Sequence, residues 1–204
     1  AGSLATNQPL GKNARNDAIR KRDEAEAMIA KLDADLPEVL KLEGEVAQSF
    51  KEAEEAFNKA NAAFTAVGSK AGSEEERAKN DAQKLRDEAK KANDLVNGNT
   101  PGSRGGLVKT CEDAKNTADK QKQDGANTPL ATAFQATETA LVNLLMESDD
   151  TKADALLADV QAKASAVGTI YTTVQTQKTT LDNALGTIKA QAIVARRAAD
   201  KAQR

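Results

Sequence analysis

The sequence has no histidine or tryptophan, one cysteine, four phenylalanines and one tyrosine. Zinc and haem sites, iron–sulfur clusters and Ser-His or Cys-His nucleophiles depend on histidine or on several cysteines. We therefore expect no enzyme activity, no catalytic residues, no cofactor and no metal site. Cys111 has no partner within the chain and is expected to be an ordinary reduced thiol, with an intermolecular disulfide as the minority interpretation.

Long hydrophobic runs and an excess charge of one sign are also missing. No apolar stretch approaches the roughly 20 residues of a membrane-spanning helix. Lys and Arg number 29 against 31 Asp and Glu, with both signs interspersed, which gives no electrostatic case for binding nucleic acid. Only 39% of residues are hydrophobic, and many of these are alanine, so the chain is too lean for a thick globular core.

Alanine, glutamate, lysine, aspartate and leucine dominate instead, as is typical of long helices in a thin bundle. A first helix is predicted from about residue 12 to residue 67, because apolar residues recur by alternating steps of four and three. Its seam places three phenylalanines at successive equivalent positions, which favours core packing over an apolar ligand pocket. The seam consists of Ala25, Ile29, Leu32, Leu36, Val39, Val46, Phe50, Ala53, Phe57, Ala60, Phe64 and Val67.

Shorter helices are predicted between residues 74 and 147. Ser73 and Glu76 form a capping box for a helix over 74–96. The segment 97–106 is rich in Gly and Asn and is expected to be a flexible loop. A third helix follows over 107–123 and ends at Asp124–Gly125. Thr128 and Pro129 begin a fourth helix that reaches about residue 147.

The last helix is predicted from about residue 150 to the end. Its heptad seam comprises Leu157, Val160, Ala164, Val167, Tyr171, Val174, Leu181, Leu185, Ile188, Ala192, Ala195, Ala199 and Ala202. The fold class is therefore all-α: a single elongated helical bundle over 1–204, framed by two helices of more than 50 residues. Residues 1–11 are expected to be disordered or vector-derived. The expected maximum dimension is about 80–100 Å at 1.5 Å rise per residue.

The alanine-rich segment 51–64, the helical end 195–204 and the glycine-rich loop between them resemble trypanosome surface glycoproteins. The resemblance is to the glutamic acid/alanine-rich protein family of the insect-stage coat, which is related to variant surface glycoprotein and haptoglobin–haemoglobin receptor bundles. It implies a structural, protective coat glycoprotein on the extracellular face of the plasma membrane, tethered by a C-terminal glycolipid. Its partners would be neighbouring coat molecules and the membrane, and no nucleic acid.

Two other functions stay open. A cell-surface receptor or a bundle that binds lipid or a host protein is the main alternative, and an intracellular coiled-coil scaffold is a third. A receptor needs aromatic and arginine anchors, which here would be Phe134, Tyr171 and scattered arginines. The acidic groups around Glu52 and Glu74 are expected to be a solvated face and a helix cap. Threonines 169–180 are expected to be plain surface residues, with O-glycosylation as the less favoured interpretation.

The charges also predict an orientation. Residues 11–22 and 189–204 each carry a net charge of +4, whereas the whole chain carries −2, so the remaining residues carry −10. We expect the two long helices to pack antiparallel, with residue 67 beside about 154 and Glu43 level with Lys178. Both basic segments would then form one membrane-proximal end. That end comprises Lys12, Arg15, Arg20, Lys21, Arg22, Lys189, Arg196, Arg197, Lys201 and Arg204.

Overall fold

A computed structural model describes residues 2–122 and 128–204. These residues form five α helices, two short 3-10 helices and no strand. The helices are α1 (Leu4–Ala66), α2 (Glu74–Asn97), α3 (Gly106–Asp119), α4 (Pro129–Met146) and α5 (Ala153–Ala202); the 3-10 helices are Lys120–Lys122 and Asp150–Lys152. The predicted all-α fold is confirmed. Helix α1 has 63 residues, α5 has 50 and follows the three-residue 3-10 helix Asp150–Lys152 directly, and the shorter helices lie between α1 and α5 in sequence.

The starts of α2 and α4 follow the predicted capping chemistry. The Ser73 hydroxyl accepts a hydrogen bond from the Glu76 amide at 3.1 Å, and the Glu76 carboxylate accepts one from the Gly72 amide at 2.6 Å. The Thr128 hydroxyl accepts from the Ala131 amide at 3.1 Å. Both predicted starts are confirmed. The predicted end of the third helix at Asp124–Gly125 lies outside the described residues.

The chain folds into two compact units. Unit 1 comprises Ala1–Asp33 and Ala114–Thr179, and unit 2 comprises Ala34–Asp113 and Thr180–Arg204. Helices α1, α3 and α5 therefore contribute residues to both units, whereas α2 belongs to unit 2 and α4 to unit 1.

In unit 1, α4 runs antiparallel to α1 and α5 runs parallel to it. The Gln8 side chain donates to the Leu144 carbonyl at 3.2 Å, and Arg15 pairs with Glu138 at 2.6 Å, so rising numbers in α1 meet falling numbers in α4. Asn7 of α1 donates to Asp154 of α5 at 2.9 Å, and Lys21 lies beside Gly168, so the numbers of α1 and α5 rise together. The core of the unit contains Ala140, Leu141, Leu144 and Val160.

In unit 2, α2 runs antiparallel to α1, and α5 again runs parallel to it. The Phe57 and Phe64 rings of α1 contact Arg86 and Lys79 of α2, in reversed order. Along α5, Lys189 pairs with Glu38 at 3.0 Å and Arg196 pairs with Glu52 at 2.8 Å. An alanine cluster of Ala53, Ala89, Ala198 and Ala199 joins the three helices.

The long helices bury one residue in every seven along a continuous series, as a coiled-coil seam requires. In α1 the series is Gly11, Ala18, Ala25, Leu32, Val39, Val46 and Ala53; in α5 it is Ala153, Val160, Val167, Val174, Leu181, Ile188 and Ala195. Every α5 member of the series has no exposed surface. Much of both predicted seams is therefore buried, but Leu36, Leu157 and Tyr171 are only half-buried. Val67 lies beyond the end of α1 and is 42% exposed.

The predicted antiparallel packing of the first and last helices is wrong. Helix α2 in unit 2 and helix α4 in unit 1 are both antiparallel to α1. The chain therefore reverses its direction between α1 and α2 and again between α4 and α5. Two reversals restore the original direction, and α5 therefore runs parallel to α1. The ion pairs of Glu38 with Lys189 and of Glu52 with Arg196 follow this direction.

The expectation of disorder over residues 1–11 is also wrong from Leu4 onward, because α1 begins there. Leu4 packs against the core of unit 1, and its amide donates to the Asp150 carboxylate at 3.0 Å. Gly11 is buried, and a β-carbon at this position would lie 2.7 Å from the Leu144 side chain. Glycine therefore permits the close approach of α1 to α4.

Candidate functional site

The basic segment 11–22 lies on α1 in unit 1 and is largely neutralised by local ion pairs. Lys12 is exposed. Hydrogen bonds from Lys21 and then from Arg20 lower the pKa of Asp17 below its ordinary value. The acidic partners are Glu138 for Arg15, Asp17 and Glu24 for Arg20, Asp17 for Lys21, and Asp23 for Arg22.

The basic segment 189–204 lies on α5 in unit 2. Lys189 and Arg196 reach across to α1, where they pair with Glu38 and Glu52, and Arg196 also pairs with Asp200 at 2.7 Å. The other three cations point to the outside and are exposed: Arg197, Lys201 and Arg204. Exposed Ile193 precedes them by one helical turn. This part of α5 therefore presents a basic outer stripe.

The premise of one basic end formed by all ten residues does not hold. It required α1 and α5 to be antiparallel, whereas each unit has them parallel. Segment 11–22 belongs to unit 1 and segment 189–204 to unit 2. The membrane-proximal role itself stays a hypothesis, and it now concerns the α5 stripe alone.

An acidic corner between α4 and α5 is a feature that the sequence analysis missed. Asp150 accepts from the Leu4 amide, and Asp154 accepts from the Gly2 amide at 2.8 Å and from the Asn7 side chain at 2.9 Å. These carboxylates take the place of an N-terminal cap on α1. The hydrogen bonds from Asn7 and then from Gly2 lower the pKa of Asp154. No local pattern reveals such a cap, because its donors and acceptors are about 150 residues apart in sequence.

The phenylalanine row on α1 is only partly in the core. Phe50, Phe57 and Phe64 are all half-buried. Phe50 packs against the alanine cluster of unit 2, as expected. The guanidinium carbon of Arg86 lies 4.1 Å from the centre of the Phe57 ring, and the Lys79 ammonium lies 4.6 Å from that of Phe64. Cations of α2 therefore cover the outer faces of two rings, an arrangement that stabilises exposed pairs by about 0.5–1 kcal/mol.

The aromatic anchors that a receptor would need are also engaged within unit 1. The Phe134 ring lies under Arg22, with 4.1 Å from the guanidinium carbon to the ring centre. Tyr171 is half-buried, and its hydroxyl lies 3.3 Å from the Gln175 side-chain nitrogen.

The glycine-rich loop that joins α2 to α3 is closed at its base. The Gly105 amide donates to the Asn97 carbonyl at 3.1 Å. Gly98 and Gly106 have positive φ, and a β-carbon on Gly106 would lie 2.5 Å from the Leu95 carbonyl oxygen, so only glycine fits there. Arg104 pairs with Glu43 of α1 and with Glu112 of α3. The ion pairs of Arg104 therefore hold the loop against α1 and α3 within unit 2.

Cys111 is fully buried in α3, and burial raises the pKa of its thiol to about 11. The thiol is therefore protonated and poorly reactive at neutral pH. Exposed threonines on α5 direct their hydroxyls back onto the helix: Thr169, Thr172 and Thr176 each donate to the carbonyl four residues earlier.

Within the described part of the chain, no group of three or more acidic or cysteine side chains is placed to hold a metal ion. Over the same residues, no helix is long and apolar enough to cross a membrane.

We compared the chain with family models, curated proteins and solved structures, and none of them matches it.

Proposed function

We propose that the chain is a structural coat glycoprotein of an insect-stage trypanosome. It would stand on the extracellular face of the plasma membrane, held by a C-terminal glycolipid, and form a steric protective layer with neighbouring copies. The proposal rests on the resemblance of its alanine-rich helices to the glutamic acid/alanine-rich protein family. The helical bundle agrees with that family's architecture.

The observation that carries the proposal is the series of buried residues that recur every seven positions along α1 and α5. Small and β-branched residues occupy most of it, so the helices approach closely while most of the remaining side chains face solvent. The outward faces carry ion pairs spaced four residues apart, such as Lys41 with Glu45 and Lys51 with Glu55. Such a chain has few residues in its interior and presents a large hydrated surface, which is what a steric layer requires.

The charge distribution supports dense packing without aggregation. Outside the two basic segments the chain carries −10, so neighbouring copies repel at short range. The basic outer stripe of α5 is the part of the described surface nearest in sequence to the proposed C-terminal anchor. We assign it the role of facing the anionic membrane surface.

The test is antibody labelling of insect-stage trypanosomes before and after permeabilisation. The proposal predicts strong labelling of intact cells and release of the protein by a phospholipase C that cleaves glycolipid anchors. An antibody to a cytoplasmic protein serves as the control for membrane integrity. Labelling that appears only after permeabilisation would favour the intracellular scaffold instead.

A further inference from the structure

Helix α4 carries an outward face that differs from the rest of the chain. Of all residues in this protein 29% are charged, yet α4 has a single charged residue, Glu138, which pairs with Arg15. Two of its large apolar side chains are well exposed, Met146 at 80% and Val142 at 47%. Depletion of charge together with exposed methionine is typical of the centre of a protein interface.

The exposed residues also follow a coiled-coil spacing. Thr132, Thr139 and Met146 are all exposed and seven residues apart, with Gln135 and Val142 exposed between them. The buried face of the same helix has its own series of Leu130, Thr137 and Leu144. Helix α4 thus has two seams, one turned to the core of unit 1 and one turned to solvent. A seam on an outward face fits a facing helix.

We propose that this outer seam binds the same seam of a second copy, with the two α4 helices antiparallel about a two-fold axis at Thr139. An isologous contact of this kind places each residue against a defined counterpart. Met146 then lies opposite Thr132, Val142 opposite Ala136, and Gln135 opposite Asn143. Large side chains meet small ones and amides meet amides. Since neither face carries a charge, pairing leaves no charge buried without a partner.

The flanking helix adds charge complementarity. Asp159 and Lys163 of α5 border the same groove of about 530 Å³ beside the outer face of α4. Ala140 and Val160 share one core cluster, so Asp159 and Lys163 lie within about one helical turn of residues 141 and 137, respectively. A two-fold axis at residue 139 exchanges these two levels. Asp159 of each copy is thereby brought to the level of Lys163 in the other.

The contact is one helix face wide and thus smaller than the roughly 800 Å² per partner of a standard interface. We therefore expect a reversible dimer whose population rises with concentration. This inference does not depend on the proposed coat function, since it concerns the purified chain in solution.

Sedimentation velocity over a wide concentration range tests the proposal. Wild type should shift toward twice the 21.5 kDa mass of one chain as concentration rises. Val142→Lys should abolish that shift, because it buries a charge without a partner against Ala136 of the other copy. Ile193→Lys is the matched control, since Ile193 is similarly exposed but lies on α5 in unit 2, and it should dimerise like wild type. Circular dichroism verifies that both variants keep their helical content.

Cross-linking tests the two-fold axis itself. In a Cys111→Ala background, Thr139→Cys should give a covalent dimer with a short bis-maleimide, and Thr169→Cys on α5 should not. Two results would overturn the proposal: a wild-type chain that stays monomeric at every concentration, or a dimer that Val142→Lys leaves intact. Equal cross-linking of Thr139→Cys and Thr169→Cys would likewise exclude the two-fold axis at Thr139.

Discussion

At the scale of single residues, the interior of this protein depends on a short series of buried side chains. Leu32, Val39 and Val46 are completely buried in α1, whereas Leu40 between them is 37% exposed. Each of these three side chains has no exposed surface, so folding removes its whole apolar area from water. The identity of the residue therefore matters much more inside the seam than one position away from it.

We predict that Leu32→Ala lowers the free energy of unfolding by about 2–5 kcal/mol, the range for truncating a buried leucine. Leu40→Ala removes the same atoms from a partly exposed site and should cost less than about 1 kcal/mol. Urea unfolding followed by circular dichroism measures both values. Equal costs for the two variants would contradict the assigned seam.

The acidic corner predicts a loss of stability in acid. Hydrogen bonds from Asn7 and Gly2 hold the pKa of Asp154 below 3.8, so its ionised form favours the folded state. This stabilisation is present above the unfolded pKa near 3.8 and is lost as the pH falls through the lower folded-state pKa.

The urea midpoint of wild type should therefore fall more steeply below about pH 4 than that of Asp154→Asn, which cannot titrate at this position. Asp113→Asn, which changes an exposed ion pair with Lys109 on α3, serves as the control and should keep the wild-type slope. If the Asp154→Asn midpoint follows the wild-type pH profile, Asp154 is not an acid-sensitive cap.

At the scale of helices, the parallel packing of α1 and α5 determines which residues of the two helices lie side by side. In unit 2, Glu52 and Arg196 form an ion pair at 2.8 Å. The antiparallel register suggested by the sequence would instead set residue 52 beside residue 169, which is 27 residues, or about 40 Å, along α5 from position 196.

We predict a short distance between spin labels at positions 52 and 196, introduced as cysteines in a Cys111→Ala background and measured by pulsed electron spin resonance. Labels at 52 and 169 provide the comparison and should be far apart. The reverse order of the two distances would restore the antiparallel arrangement.

Much of the helix pattern was predictable, because capping boxes and heptad seams are local signals. Ser73, Thr128 and the α5 seam required only neighbours within a few turns. The direction of α5 was predicted wrongly. Matching large with small seam residues and Glu43 with Lys178 favoured antiparallel packing, and the long loop 97–106 was taken to outweigh the helix count, which favours parallel packing. The start of α1 was missed since its cap is supplied by Asp150 and Asp154, far away in sequence.

The phenylalanine row shows a further limit of pattern analysis. Phe57 and Phe64 have the period of core residues, but the surrounding seam is built from residues as small as Ala53. Large rings in a narrow bundle extend past its edge, where Arg86 and Lys79 cover them. Periodicity identifies the side of the helix that faces its partners, and side-chain volume decides how deeply a residue is buried.

At the scale of the whole molecule, the basic residues form two groups that differ in how far acidic neighbours neutralise their charge. Arg20 and Lys21 in unit 1 are engaged by Asp17, whereas Arg197 and Lys201 in unit 2 are exposed. The second group should therefore attract an anionic surface more strongly, since ion pairs already neutralise much of the charge of the first group.

We predict that the chain binds anionic vesicles better than neutral ones at low salt. Neutralising two exposed cations near a membrane costs about 1 kcal/mol each, so Arg197→Gln with Lys201→Gln should weaken binding roughly 30-fold. The matched pair Arg20→Gln with Lys21→Gln should change it much less. Vesicle co-sedimentation measures both, and equal effects of the two pairs would remove the special role of the α5 stripe.

If this protein forms the steric layer that we propose, its depletion from insect-stage trypanosomes should make the other surface proteins accessible to large molecules. The measurement is labelling of other surface proteins on intact cells with a large reagent, an antibody, and with a small one, an amine-reactive biotin. A layer of rigid helices excludes large molecules more than small ones. We predict that depletion increases antibody labelling several-fold and leaves biotin labelling nearly unchanged. Unchanged antibody labelling after full depletion would exclude a steric role for the protein.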